Sequence, residues 1–355
     1  MTTCKTTPGI RLFWAAIIFT CAIGAKGSAS AEEMFFNYDD FSMLEAPLAT
    51  EVGDVTLLLR GMIEGASTFG LGNDDDDDTD ESLDGSFQLG AQTQLPNRWR
   101  VRLTYLGKYA TDPEASPDSG FASRVDDEYE DDLALSVGGS WGAVVGGNVT
   151  DVVREQTQRT PGAGRASLSF DDVFGSLEGW GGGYVGRFGP WVLSTVVDEE
   201  GNFDLGATYQ RPIGDKDYRL TTRYTEGVFT SADGLRQFDT RAASGVGEFI
   251  YGSALFDLGA GYERLLSAGL EVEQWYVSSG VRIKFGAVSL SLEGHYGEVE
   301  GEEKTSAALG VQYDVARGLS ANFGLNYEDA EVSLGGVNLI ASKGTKAVIS
   351  VRYAF

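Results

Sequence analysis

Residues 345–355, at the end of the chain, alternate apolar and polar side chains with a period of two. One face carries Ala347, Ile349, Val351, Tyr353 and Phe355, and the other carries Lys346, Ser350 and Arg352. Successive side chains of a β-strand point to opposite faces, so this pattern predicts a strand with one apolar and one polar side. Similar segments recur from about Val55 onward, separated by Gly, Asp, Asn and Pro clusters typical of turns. The chain is therefore predicted to be all-β.

The polar faces of two of these segments carry arginines. Arg100 and Arg102 alternate with apolar residues in one segment, and Arg219 and Arg223 do so in another. Burying an arginine in the dry core of a β-sandwich would cost roughly several kcal/mol. A water-filled lumen removes that cost. The pattern predicts a transmembrane antiparallel β-barrel with apolar residues facing lipid. A mean hydropathy of -0.15 is consistent with such a wall.

Strand and loop counts support a large barrel of about 16 strands. Residues 236–263 could hold two strands or one long and one broken strand, so 14 or 18 strands remain alternatives. Tight links are predicted at 95–98, 138–142, 188–190, 285–287 and 314–318. They interleave with predicted long loops at 66–82, 110–130, 149–181, 227–235, 264–272, 297–304 and 330–343. Short turns at one rim and long loops at the other are typical of outer-membrane barrels.

The first 31 residues predict a cleavable secretory signal. Lys5 and Arg11 precede an apolar run at 12–25, and residues 29–31 read Ala-Ser-Ala, a small-residue cleavage site. An uncleaved anchor is the alternative. We expect a signal peptide at 1–31, a short periplasmic N-terminal segment at 32–52 and an outer-membrane barrel at 53–355.

Removing that signal changes the composition of the mature chain. Both cysteines, Cys4 and Cys21, would be lost, which excludes disulfides, thiolate metal sites and cysteine nucleophiles. Three cations would be lost as well, which takes the formal net charge from -26 to -29. Nucleic acid is a poor partner for such a chain.

The mature chain resembles the general diffusion porins, the trimeric outer-membrane porins of Gram-negative bacteria, in their alphaproteobacterial version. The resemblance rests on the terminal Tyr353-Ala354-Phe355, which matches the assembly signal of the family, and on the long third loop at 149–181. It implies a third loop folded toward the lumen, a bacterial outer-membrane location and a homotrimer. It also implies partners in outer-membrane lipid, lipopolysaccharide and the barrel-assembly machinery. The implied activity is passive diffusion of ions and small hydrophilic solutes.

In similar porins, acids on the third loop face basic residues on the barrel wall. Carried over to this chain, the loop side of a pore constriction would comprise Asp151, Glu155, Asp171, Asp172 and Glu178. The wall side would comprise Arg60, Arg100, Arg102, Arg219 and Arg223. The alternative is a set of ordinary solvated charges of the lumen and loops. We expect mild cation preference from the acidic lumen and loops.

The acidic run at 73–81 is a candidate site for a structural Ca²⁺ ion, since hard cations bind clustered carboxylates. Asp74, Asp76 and Asp78 are the candidate ligands, although the run lacks the spacing of an EF-hand loop. The simpler interpretation is a disordered acidic surface loop that divalent ions bridge to lipopolysaccharide phosphates. No other cofactor or metal is expected.

The single histidine, His295, provides one test for enzyme activity. The alternation places it on the polar face with Ser289, Ser291 and Glu293, away from any lipid substrate. We therefore expect no catalytic residues and no enzyme. The alternatives to a porin are a structural or adhesive barrel with a plugged lumen and an outer-membrane lipase.

Overall fold

The computed structural model describes residues 48–71, 79–110, 129–150, 152–164, 177, 179–213, 216–230, 237–267, 270–299, 301–334 and 337–355. These ranges contain 17 strands and one helical turn, α1 (Arg154–Thr157). The strands are β1 (Leu48–Val52), β2 (Val55–Gly70), β3 (Thr79–Gln94), β4 (Arg100–Ala110), β5 (Tyr129–Gly139), β6 (Gly142–Asn148), β7 (Trp180–Phe188), β8 (Trp191–Asp198), β9 (Phe203–Ile213), β10 (Lys216–Thr230), β11 (Gln237–Tyr251), β12 (Ala254–Ser267), β13 (Leu270–Phe285), β14 (Val288–Val299), β15 (Glu302–Ala316), β16 (Leu319–Leu334) and β17 (Val337–Ala354).

Strands β2 to β17 form a closed antiparallel barrel of 16 strands. Each strand pairs with the next, and β17 returns to pair with β2 from Lys346↔Gly70 to Ala354↔Met62. Closure satisfies the backbone polar groups of every strand, as a sheet in lipid requires. The predicted strand number is confirmed, and the ambiguous stretch at 236–263 contributes two strands, β11 and β12.

The two ends of the described chain share one position beside β2. Strand β1 pairs with the first part of β2, from Val52↔Val55 to Leu48↔Leu59, and β17 pairs with the rest. Between them, the N–H groups of Gly61 and Phe355 each donate to the other's carbonyl at 2.8 Å. Strand β1 lies within the predicted N-terminal segment at 32–52, whereas residues 32–47 and the predicted signal at 1–31 lie outside the described residues.

The strand connections alternate between the two rims. One rim carries the short turns, such as Gly189-Pro190 and Gly286-Ala287, and the other carries the longer connections, including 111–128 and 149–179. We call them the turn rim and the loop rim. The long connections at 111–128 and 149–179 follow the prediction from the sequence.

Three of the predicted long loops are wrong. At 264–272, 297–304 and 330–343 the strands continue, and only 268–269, 300–301 and 335–336 fall between them. Acidic residues at 297–304, and small residues and glycines at 264–272 and 330–343, make these stretches resemble loops in sequence. Strand ends that project beyond the bilayer meet water on both faces and can carry the same residues.

The outer face of the barrel is apolar. Leucines such as Leu89, Leu220 and Leu258 are exposed there, whereas the intervening residues of each strand point inward and are mostly small or polar. An exposed apolar belt of this extent fits lipid and does not fit water. No helix in the described ranges is long and apolar enough to cross a membrane.

Candidate pore constriction

The third loop leaves β6 and enters the barrel. Val149, Val153 and Leu177 have no exposed surface and cluster with the inward-facing Val185 and Val196 of β7 and β8. Burial of apolar side chains stabilises the start and the end of the loop against the inner wall. The loop is therefore anchored inside the barrel by the hydrophobic effect.

Two glycines of the wall allow the loop to approach closely. A Cβ on Gly206 of β9 would lie 2.7 Å from the Thr157 methyl group and 2.8 Å from a Val153 methyl group. A Cβ on Gly310 of β15 would lie 1.7 Å from the Ala163 carbonyl oxygen. Only a residue without a side chain fits at either position.

Polar contacts then fix the first half of the loop. The Gln156 carbonyl accepts hydrogen bonds from the Thr208 hydroxyl on β9 and from the Arg219 guanidinium on β10, the latter at 3.2 Å. Glu248 on β11 pairs with Arg219 at 2.8 Å and accepts the Thr160 N–H at 2.6 Å. One wall carboxylate therefore holds both the loop backbone and the arginine beneath it.

Arg159 is the centre of the loop attachment. Its guanidinium donates to Asp257 on β12 and to Glu293 on β14, each at 2.9 Å. All three side chains are at most 5% exposed. Charged hydrogen bonds at this distance and burial are among the stronger polar contacts in proteins.

The next residues of the loop continue along the same wall. The Ala163 N–H donates to the Ser291 hydroxyl of β14 at 2.8 Å, and Arg282 of β13 donates to the Pro161 carbonyl at 2.9 Å. Residues 156–163 thus contact six consecutive strands, β9 to β14. This part of the loop lies along one side of the lumen.

The structure describes no side chain among the loop acids predicted for the constriction. Asp151, Asp171, Asp172 and Glu178 lie outside the described residues, and Glu155 is described only as part of α1. Their role stays a prediction.

The five predicted wall arginines fall into two groups. Arg219 and Arg223 lie on β10, on the wall that the loop follows, and Arg223 pairs with the buried Asp204 of β9 at 2.6 Å. Arg60, Arg100 and Arg102 lie on β2 and β4, and β2 is eight strands from β10 in the ring. All five share the inward-facing phase of their strands. The barrel does not bring them together into one cluster.

The prediction from sequence missed the wall residues that hold the loop, namely Glu248, Asp257, Ser291 and Glu293. Each lies on the inward-facing phase of its strand, and that phase was readable from the alternation. The sequence did not indicate which inward-facing acids meet the loop, because those contacts join residues about a hundred positions apart.

His295 points into the barrel, as its phase in β14 predicts. It is buried, and its ring stacks on Tyr276 of β13 with the centroids 5.3 Å apart. Within the described ranges, no group of three or more His, Cys, Asp or Glu residues could hold a metal ion. The Ca²⁺ candidates Asp74, Asp76 and Asp78 lie outside those ranges and stay a prediction.

Comparison with solved structures identifies the fold. An outer-membrane protein of Vibrio cholerae, OmpT in its trimer form, superposes with a TM-score of 0.63 at 14% identity, covering 85% of this chain and 99% of that one. The anion-selective porin of Comamonas acidovorans gives 0.58 at 14% identity, covering 85% and 100%. A triple mutant of the Rhodopseudomonas blastica porin gives 0.57 at 15% identity, covering 84% and 100%.

Comparison of the sequence gave no match. No protein-family model matches it, and the curated proteins contain no match to it. The closed 16-strand barrel, its apolar belt and its internal third loop nevertheless define an outer-membrane β-barrel with the porin fold.

Proposed function

We propose that this protein is a channel through which ions and small hydrophilic solutes diffuse passively across the outer membrane. The observation that carries the proposal is the attachment of the third loop along one side of a polar lumen. A loop fixed in this way narrows a barrel without being free to move across it, which is what a sieving pore requires. Passive diffusion involves no bond chemistry, so no catalytic group is part of the proposal.

The proposed ion preference is mildly cationic. The predicted mature chain has a formal net charge of -29, and its connections at 71–78 and 111–128 are acidic. A negative potential at the mouth of a pore raises the local concentration of cations. Inward-facing arginines partly offset this potential, so the preference should be weak.

We further propose that the protein assembles as a homotrimer, and that Tyr353 and Phe355 form the signal for assembly of the barrel in the outer membrane. The Vibrio cholerae protein with the same fold is described as a trimer, which supports this state. Cross-linking of the purified protein in mild detergent should give a ladder that ends at three subunits. A single band at the mass of one subunit would contradict the trimer and leave the channel proposal intact.

Planar-bilayer recording tests the channel. Purified full-length protein should insert with stepwise increases in current, and a potassium chloride gradient should give a small reversal potential with the sign of a cation preference. The heat-unfolded protein is the matched control. Absence of stepwise conductance from folded protein would favour the alternative, a structural or adhesive barrel with a plugged lumen.

A further inference from the structure

Charged side chains on the inner face of the barrel are sorted along the pore axis. Strand β2 and every second strand after it run from the turn rim to the loop rim, and the strands between them run back. The alternating burial of each strand shows which of its residues face inward. The described inward-facing charges can therefore be placed along the axis. We call the part of the wall nearer the turn rim the turn half and the part nearer the loop rim the loop half.

Inward-facing cations are concentrated in the turn half. Arg219 pairs there with Glu248 at 2.8 Å, and this pair adds no net charge. Lys284 and Asp314 form a second such pair at 3.2 Å. The other inward-facing cations of the turn half are Arg60, Arg100, Arg102, Arg187, Arg282 and Arg352.

Acids of the turn half offset only part of this charge. Beyond the two paired acids, the described inward-facing acids of this half are Glu51, Asp217 and Asp257. Asp257 in turn contacts the Arg159 guanidinium of the third loop. The net charge of a zone counts every ion in it, so it does not depend on which arginine pairs with which acid. The described wall of the turn half is therefore positive.

The loop half and its rim carry the opposite charge. Asp204 and Arg223 form a pair that adds no net charge. The other inward-facing cations described there are Lys108, Lys304 and Lys346. The inward-facing acids are Asp84, Asp132, Asp198, Glu263, Glu302 and Glu328. The connections at 71–78 and 111–128 add further acids at this rim. A negative zone therefore precedes a positive zone along the pore.

We infer that the pore conducts asymmetrically, with a larger current when the loop-rim side of the membrane is positive than when it is negative. The inference rests on the proposed channel function and adds a direction to it. The proposed cation preference implies no direction, because it depends on the net charge and not on its arrangement.

The direction follows from the order of the two zones. A negative zone admits mainly cations and a positive zone mainly anions. When the loop-rim side is positive, the field drives cations through the loop half and anions through the turn half, and both accumulate where the halves meet. The opposite voltage removes both ions from that region, and neither zone readily replaces them. The first voltage therefore gives the larger current.

Single-channel recording at opposite voltages tests the inference. In 0.1 M potassium chloride, where charges act over about 10 Å, the ratio of the two currents should be about 1.5 to 2. In 1 M salt, where that range is about 3 Å, the ratio should fall close to 1. The current should follow each voltage step at once, because no part of the protein has to move. A ratio that persists in 1 M salt, or that develops slowly after the step, would overturn the inference.

The orientation of each channel is established separately. Glu303 lies on the outer face at the loop rim. Biotin attached to Glu303→Cys should bind streptavidin, which is too large for the pore, only from the side that the loop rim faces. The larger current with that side negative would contradict the inference.

Two double variants separate the charges of the lumen from those of the outer face. Arg352→Gln with Glu328→Gln removes one charge from each zone and leaves the net charge unchanged. The Nε and Nη2 atoms of Arg352 donate no hydrogen bond within the described ranges, so glutamine breaks none there. The excess of the current ratio over 1 should fall by about a sixth, the share of each charge among those named for its half. The reversal potential should not change.

Arg211→Gln with Asp329→Asn is the matched control. Both residues lie on the outer face, one near each rim, and the net charge is again unchanged. The current ratio of this variant should equal that of the wild type, and heat-modifiable mobility shows that both double variants are folded barrels. An equal fall of the ratio in the two double variants would overturn the assignment to the lumen.

The inference and the proposed function fail in distinguishable ways. Stepwise conductance with equal currents at the two voltages in 0.1 M salt would overturn the inference and leave the channel. Absence of conductance from folded protein would overturn the channel, and the inference with it.

Discussion

Arg159 of the third loop and Asp257 of β12 form a buried ion pair at 2.9 Å across a sequence separation of 98 residues. The same guanidinium also binds Glu293 of β14. These contacts join the loop to two strands of the wall through one side chain.

Replacing that side chain should release the loop. Arg159→Met leaves Asp257 and Glu293 buried without their cation, which costs about 3–5 kcal/mol when a buried pair is broken. We expect a lower unfolding temperature together with larger and noisier single-channel currents. Arg264→Met, which removes an exposed ion pair with Glu271 on the outer face, is the control and should change neither. Unchanged currents in Arg159→Met would show that other contacts fix the loop.

A methyl group on the wall should displace the same loop by steric contact. In Gly310→Ala the new Cβ would lie 1.7 Å from the Ala163 carbonyl oxygen, so the loop has to move away. We expect a destabilisation of about 1–3 kcal/mol, as in other overpacked sites, and an altered conductance. The measurements are thermal unfolding and bilayer recording. Gly294→Ala on β14 is the matched control, because nothing lies within 4 Å of its Cβ position.

The Asp204–Arg223 pair should contribute to stability without controlling the loop. Asp204 is buried and accepts from both the Arg223 guanidinium and the Thr225 hydroxyl, all on β9 and β10. Arg223→Met should lower the free energy of unfolding by about 3–5 kcal/mol, because it leaves a buried carboxylate unpaired. Single-channel conductance should stay within the scatter of the wild type. A stable variant with altered conductance would reverse this assignment.

The terminal residue should control assembly of the barrel. Phe355 exchanges two backbone hydrogen bonds with Gly61, and its ring covers the glycine, where a Cβ would lie 2.2 Å from a ring carbon. Deleting Phe355 removes this closure beside β1 and should reduce the heat-modifiable barrel in the outer membrane while export continues. Phe323→Ala, at a lipid-facing position of β16, is the control and should assemble normally. A normal yield from the deletion would contradict the role of the terminus.

Local residue patterns determined the class of this protein. The period-two alternation that is clearest in residues 345–355, and the arginines at 100, 102, 219 and 223, were sufficient to predict a barrel with a polar interior. Counting the segments from Val55 onward gave about 16 strands, with 14 or 18 as alternatives. These two patterns depend only on the direction in which neighbouring side chains of a strand point. The terminal Phe355 was likewise recognisable as the end of a strand. The predicted loops failed at 264–272, 297–304 and 330–343, where the strands continue but the alternation of apolar and polar residues is interrupted.

The tertiary structure alone decided how the lumen is arranged. Alternation shows that Glu248, Asp257 and Glu293 face inward, but it does not show that a loop residue about a hundred positions earlier reaches each of them. Alternation also assigned Arg60 and Arg219 to the same wall of the pore constriction. Closure of the barrel places them on opposite walls. The position of a strand around a closed barrel depends on the pairing of all 16 strands, whereas the sequence of each strand fixes only which of its side chains face the lumen.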